Sequence, residues 1–107
     1  MFDQTIQQVS YNISGLQLNL NTREVFFNEQ LVDFTGLEFS LLHLLISLSP
    51  QVVTRELIAS KIFQCSLENC NKRISIHLLN IRKKLSNIAN KELIKTSRGK
   101  GYSLLCY

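Results

Sequence analysis

The chain predicts an α+β fold in which short antiparallel strands come first, three helices follow and a β-hairpin closes the sequence. Three observations predict it. Leu16, Leu18 and Leu20 alternate with Gln17 and Asn19, the period of two of a half-buried strand. Thr35-Gly36-Leu37-Glu38 sets a hydroxyl and, three residues on, a carboxylate ahead of an apolar run, which is a capping box. Arg98-Gly99-Lys100-Gly101 lies between two β-prone stretches, 93–97 and 102–106, where glycines permit the positive φ of a tight turn.

A chain of 107 residues holds one domain and is cramped for two. Residues 1–107 therefore form one unit: a sheet over about 5–34, helices over 35–88 and the hairpin over 93–106. Hydrophobic content of 45% against 19% charged marks it as globular rather than disordered. No apolar run approaches the ~20 residues of a membrane span. The first ten residues are mostly polar and form no export signal, so the chain is expected in the cytoplasm. Cys65, Cys70 and Cys106 are then thiols rather than a disulfide framework.

Taken in order, Thr5–Val9 is a candidate edge strand and Asn12–Gly15 its connection. Arg23–Phe27 and Gln30–Phe34 are strands bounded by turns at Asn21-Thr22 and Asn28-Glu29. The helix opened by Thr35 runs to about Leu48, where Ser49-Pro50 stops it. Only Ser40, His43 and Ser47 interrupt its apolar surface, so it belongs inside the domain and His43 is a rim or core histidine. Val52-Val53 is β-prone. Thr54 caps a second helix, Arg55 to about Phe63, with Glu56 in its first turn and Leu57, Ile58 and Ile62 on its buried face. Gln64–Asn71 has no periodicity and reads as a loop.

The third helix is expected from Asn71 or Lys72 and frays near 87–90. At about 100° per residue, Ile74, Leu78, Ile81 and Leu85 form one apolar stripe, which Ile88 extends. The opposite surface carries Lys72, Arg73, Asn80, Lys83 and Lys84 with Ile76 and Leu79 among them, and no carboxylate. A solvated face would mix charge signs. Cations for phosphates, an amide for a base edge and methyls for thymine are what a major groove takes.

Charge is divided along the chain. Residues 1–54 hold one base, Arg23, against five acids, a net of −4; residues 55–107 hold eleven bases against three acids, a net of +8. Such a field attracts polyanions, and nucleic acid is the commonest. An acidic lipid surface would need a free apolar helix face, whereas this stripe is needed for the core. Helix, loop, basic helix and cation-tipped hairpin, in that order, make a winged helix-turn-helix, with the third helix in the major groove and the hairpin over backbone or minor groove.

Four segments carry a family resemblance. Phe34-Thr35-Gly36-Leu37-Glu38-Phe39-Ser40-Leu41-Leu42, Val53-Thr54-Arg55-Glu56, Ile76-His77 with Ile81-Arg82-Lys83-Lys84-Leu85, and Thr96-Ser97-Arg98-Gly99-Lys100-Gly101-Tyr102 fall in order over about residues 16–106. They resemble the effector domains of OmpR/PhoB-type two-component response regulators, and the Thr-Gly-x-Glu-Phe segment and the Asn80 position resemble the CpxR branch most. The resemblance implies a four-stranded antiparallel N-terminal sheet, three helices and a C-terminal wing. It implies head-to-tail binding to direct repeats of double-stranded DNA and contact with RNA polymerase through Gln64–Asn71, although Glu68 is the only charge there. A longer chain would add a receiver domain and a cognate histidine kinase; no phosphoacceptor pocket is visible in this sequence.

By position, the resemblance puts Lys72, Arg73 and His77 at phosphates and Ile76, Leu79 and Asn80 in the groove. Arg82 would reach phosphate, Thr54 and Arg55 would make the second helix's backbone contact, and Arg98 and Tyr102 belong to the wing. From the residues themselves, Lys83 on the basic face would meet phosphate and Lys100 would sit with Arg98 at the hairpin tip. The family usually has Asp two residues before the His, where this chain has Ser75. A brace for a neighbouring basic side chain would then be missing. Asn80 can bond an adenine edge bidentately or be an exposed polar residue. His77 can meet a phosphate or fill a helix–sheet corner. Tyr102 can serve the wing or be a strand aromatic.

Catalysis has no footing. There is no Ser-His-Asp set in context, no acidic pair in a cleft and no phosphate loop, and Gly99-Lys100-Gly101 is turn chemistry. Cys65-x4-Cys70 is too poor in ligands for zinc, which leaves two loop thiols or a redox switch, and no cofactor is expected. The rival function is a winged-helix protein-interaction module in which Ile76 and Leu79 form the partner patch.

Overall fold

The structure, a computed structural model, describes residues 10–89 and 91–105. Strands β1 (Ser10–Ile13), β2 (Leu16–Asn19), β3 (Glu24–Phe27) and β4 (Gln30–Val32) form an antiparallel meander in sequence order. Its register pairs Leu16 with Phe27, Leu18 with Val25, and Val25 with Val32, so the alternation read from Leu16 and Leu18 becomes one buried face. The expected connection over Asn12–Gly15 is corrected here. Asn12 and Ile13 are strand, opposite Gln17 and Leu16, and only Ser14 and Gly15 turn. Asn12 points to solvent while Tyr11 and Ile13 pack on the core, a period of two that one polar residue had obscured. The edge strand expected at Thr5–Val9 lies outside the described residues. Arg23 sits in the turn before β3, with φ 58°, and β4 ends at Val32 rather than Phe34.

Helix α1 (Gly36–Leu48) has the capping box in full. The Glu38 backbone N–H donates to Thr35 Oγ1 at 3.2 Å, and the Thr35 N–H donates to Glu38 Oε1 at 3.0 Å. Phe39, Leu41, Leu42, Leu45 and Ile46 are buried, as so apolar a helix requires. His43 rests between the rings of Tyr11 and Phe39, at centroid distances of 5.4 and 6.2 Å. Burial, and then the Arg23 cation, hold its imidazole below the ordinary value, in keeping with a rim position.

Strand β5 (Val53–Thr54) leads into α2 (Arg55–Ile58), which continues as a π-helical turn over Ala59–Phe63. Thr54 caps it, accepting from the Leu57 N–H at 3.1 Å. Helix α3 (Leu67–Ser86) starts four or five residues before the sequence suggested. The expected loop over Gln64–Asn71 shrinks to residues 64–66, because Gln64 turns the chain with φ 54° and Ser66 takes the N-cap position. Leu67 and Cys70 precede Ile74 by seven and four residues, so the apolar stripe begins there. A cysteine counted as a thiol had hidden one of its core positions.

The chain ends in β6 (Ile94–Ser97) and β7 (Gly101–Leu104), joined by Arg98-Gly99-Lys100, with the Lys100 N–H donating to Ser97 O at 2.8 Å. β7 lies between β6 and β5, so the hairpin is a three-stranded sheet anchored at Val53↔Tyr102 and Thr54↔Gly101. Gly101 makes that approach possible. Its φ is 155°, and a Cβ there would lie 2.0 Å from Val53 O. Side chains from the meander, all three helices and the hairpin join in one buried cluster.

Candidate nucleic-acid interface

Helix α3 meets a different neighbour on each flank. Its inner stripe, Cys70, Ile74, Leu78, Ile81 and Leu85, is buried in the core. On one side of that stripe stand Asn71, Ser75 and Arg82, one line at helical spacing. The Arg55 guanidinium crosses from α2 to this line, donating from Nε to Asn71 Oδ1 at 2.7 Å and from Nη2 to Asn71 O at 2.7 Å and Ser75 Oγ at 2.9 Å. Its Nη1 makes a short hydrogen bond to the Tyr102 hydroxyl. Farther along, Arg82 Nη2 donates to Ile94 O at 3.1 Å and Thr96 Oγ1 at 2.5 Å. Both guanidinium groups lie near the Tyr102 ring, 5.7 and 5.8 Å from its centroid. Two arginines thus fasten the hairpin to this flank.

The other flank packs on the end of α2. Phe63 receives the Arg73 guanidinium 4.7 Å from its centroid and the His77 ring at 5.6 Å. His77 is half-buried and its Nδ1 is buried without a hydrogen-bond partner among the described residues. Lys84 leaves the basic face altogether. Its Nζ pairs with the buried Glu38 carboxylate at 2.6 Å and lies 5.4 Å from the Phe34 ring centroid. Burial alone would raise the Glu38 carboxyl, but the Lys84 hydrogen bond, the Thr35 bonds and the Lys84 charge together hold it below the ordinary range.

Between the flanks, facing away from the core, an open strip remains. Ile76 is 55% and Leu79 52% exposed, with Lys72 and Lys83 exposed beside them and Asn80 half-buried at the edge away from the hairpin. Arg98 and Lys100 are exposed at the hairpin tip. A groove of about 360 Å³ separates the tip from Arg55, Glu56, Leu67 and Asn71. Lys72, Ile76, Leu79, Lys83, Arg98, Lys100 and the exposed Thr54 are therefore free to meet a partner.

Three expectations change. Arg82 does not reach out toward phosphate; its fork is held by the hairpin. Arg55 likewise spends its guanidinium inside the fold, so a backbone contact from it would use only what that network leaves. The brace thought missing at Ser75 is present, supplied by Asn71 and the Ser75 hydroxyl. Asn71, Ser75 and Thr96 are the site residues that sequence reasoning missed. The signal was there in the polar pair Asn71 and Ser75, four apart, with Ser75 seven before Arg82, bordering the apolar stripe.

Among the described residues, no group of His, Cys, Asp or Glu is arranged to hold a metal ion, and no helix is long and apolar enough to cross a membrane. The family described as "Transcriptional regulatory protein, C terminal" matches residues 28–104. The chain belongs to this family. It is an effector domain of the OmpR/PhoB type, similar to that of CpxR. The transcriptional regulatory protein CpxR of Escherichia coli is 34% identical over 94 residues, 87% of this chain and 40% of that protein. The probable transcriptional regulator ycf27 of Galdieria sulphuraria is 37% identical over 94 residues, 85% of this chain and 37% of that protein. The chain spans about two-fifths of the length of the curated relatives it matches. The crystal structure of the E. coli CpxR DNA-binding domain superposes with a TM-score of 0.80 at 33% identity, covering 89% of this chain and 94% of that one. The Klebsiella pneumoniae RstA DNA-binding domain, solved with the RstA box, shares the fold at a TM-score of 0.81 and 21% identity, covering 91% of this chain and 97% of that one.

Proposed function

We propose that this effector domain binds double-stranded DNA sequence-specifically, as a single winged-helix unit of a cytoplasmic two-component response regulator, and that it has no catalytic activity of its own. The open strip of α3 carries the reading. It is a solvent-facing helix surface with cations and two bare aliphatic side chains, and a cation-tipped wing is fastened beside it. Lys72, Arg73, Lys83, Arg98 and Lys100 bind phosphates; Ile76, Leu79 and Asn80 face base edges; Thr54 meets backbone. Arg55, Arg82 and Tyr102 act by holding the wing, and His77 by packing on Phe63. Direct-repeat sites would be occupied head to tail. A receiver domain and its histidine kinase would supply the signal in a longer chain, and RNA polymerase contact would use the short α2–α3 turn.

Phosphates provide most of the affinity in such a complex. With about six of them neutralised, log K falls against log salt with a slope of about −5. A binding-site selection from random duplex, followed by salt titration on the selected site, tests this; a slope near zero overturns it. Exposed Ile76 and Leu79 also suit a protein partner. No duplex affinity even at low salt would promote that second reading.

A further inference from the structure

The α2–α3 turn and the start of α3 carry one thiol each that the DNA-binding reading does not use. Cys70 is fully buried in the core on the first turns of α3, and its Sγ donates to Ser66 O at 3.3 Å. Cys65 is half-buried one residue before the Ser66 N-cap, its backbone N–H donating to Ala59 O at 3.2 Å. Cys70 Sγ thus lies against the backbone of the residue next to Cys65, and the two thiols are near enough to act on one another. Neither is disulfide-bonded. One thiol thus precedes the N-cap of α3 and the other lies just inside the helix, next in sequence to Asn71, whose side chain and carbonyl hold Arg55.

We infer that Cys65 and Cys70 are a peroxide-responsive dithiol whose disulfide disturbs the start of α3 and weakens DNA binding; the second half of this rests on the function proposed above. Cys65, the more exposed, reacts first. Its thiolate attacks the peroxide O–O bond, an S–O bond forms, and the departing hydroxide takes up a proton as water. Cys70 then attacks the Cys65 sulfur, the S–S bond forms, the S–O bond breaks, and a second water leaves. Two thiols and one peroxide become one disulfide and two waters. Burial, then the Cys65 contact, push the Cys70 thiol up, which suits the resolving partner better than the first nucleophile. Bonding also removes the proton that Cys70 shares with Ser66 O. The first turn of α3 then shifts, and with it the Asn71 groups that fix Arg55 and, through Tyr102, the wing.

The test uses the full chain carrying Cys106→Ser, so that the third thiol cannot confuse the result. After hydrogen peroxide, intact mass should show the loss of two hydrogens, and non-reducing peptide mapping should join the Cys65 and Cys70 peptides. Dithiothreitol should reverse both. Cys65→Ser should abolish the link; because Cys65 is only half-buried, this variant is expected to fold. The oxidised protein should bind the selected duplex at least about fivefold more weakly than the reduced protein, the lower end of ordinary coupling between sites. Thiols that stay free, or that proceed to sulfinic acid without pairing, overturn the inference. A disulfide that forms with unchanged duplex affinity overturns the switch. Failure of the reduced protein to bind any duplex would instead count against the proposed function, while the mapping would still decide the disulfide.

Discussion

The two flanks of α3 differ in what they do with their cations. On the wing flank, Arg55 and Arg82 direct six hydrogen bonds inward, to Asn71, Ser75, Tyr102, Ile94 and Thr96. On the open strip, the Lys72 and Lys83 ammonium groups make no hydrogen bond or ion pair among the described residues. Arginine's planar fork can satisfy several fixed acceptors at once, whereas a lysine ammonium is a point charge on a flexible stem. Here the forks assemble the platform and the ammonium groups are left for the partner. A basic helix is therefore two populations of charge, and only the second should appear in a salt titration.

Gly101→Ala should break that contrast most completely. The new Cβ would meet the Val53 carbonyl at 2.0 Å, in a backbone conformation at φ 155° that side chains rarely adopt. β7 must then leave β5, and Tyr102 leaves Arg55 with it, which turns the fastened flank into a second open one. Expected is a loss of about 3 kcal/mol in urea unfolding, near the upper range for single substitutions. Gly99, with nothing within 4 Å of its own would-be Cβ, is the control; alanine there should cost well under half as much. Equal effects at the two glycines would sink the close-approach account.

A third cation held by the fold is Lys84, and Glu38→Gln releases it. The substitution leaves an amide oxygen for the capping box but removes the buried charge that pairs with Lys84, and about 2 kcal/mol should be lost at pH 7, tempered by the partial exposure of the lysine. Because the folded carboxyl lies below its ordinary value of 4.5, its contribution is complete above that pH and disappears as pH falls through the folded value. The gap between parent and variant, measured by unfolding at a series of pH values, should close only below about 4.5. His43 acts earlier. Its depressed imidazole makes the parent and variant alike lose stability as pH falls from 6.5, so it cancels in the difference. A gap that closes near neutrality would assign the effect to the wrong group.

Which parts of this were legible in the sequence follows from the range of the forces. The capping box at Thr35 and Glu38, the stop at Ser49-Pro50 and the turn at Gly99 are local, decided within four or five residues, and each is where the sequence pattern put it. The core stripe of α3 was legible for the same reason. The start of α3 was not, because Leu67 and Cys70 look like loop residues until the core they enter is known. Nor could the pattern separate Arg82 from Lys83, neighbours in one basic run. Their roles depend on whether β6 passes within reach, which is a fact of pairing between residues a dozen positions apart. The pinning of Arg55 was harder still, since its partners come from α3 and β7 and the nearest lies sixteen residues away.

Arg82 and Lys83 therefore offer the finest separation of the two populations. Arg82→Lys keeps the charge but loses the fork shared by Ile94 O and Thr96 Oγ1, so about 1 kcal/mol of stability should go, with a loosened wing and weaker binding to every duplex. Lys83→Ala removes an exposed charge without a partner and should leave unfolding within about 0.5 kcal/mol of the parent. Its effect belongs to the salt titration, where the slope should become shallower by about 1, since one phosphate loses its cation. Arg82→Gln, which removes the charge, should leave that slope where it was, because the Arg82 guanidinium is turned to Ile94 O and Thr96 Oγ1 rather than to phosphate. If the slopes respond the other way round, Arg82 is a phosphate ligand after all, and the inward bonds that hold the wing to α3 give way when DNA arrives.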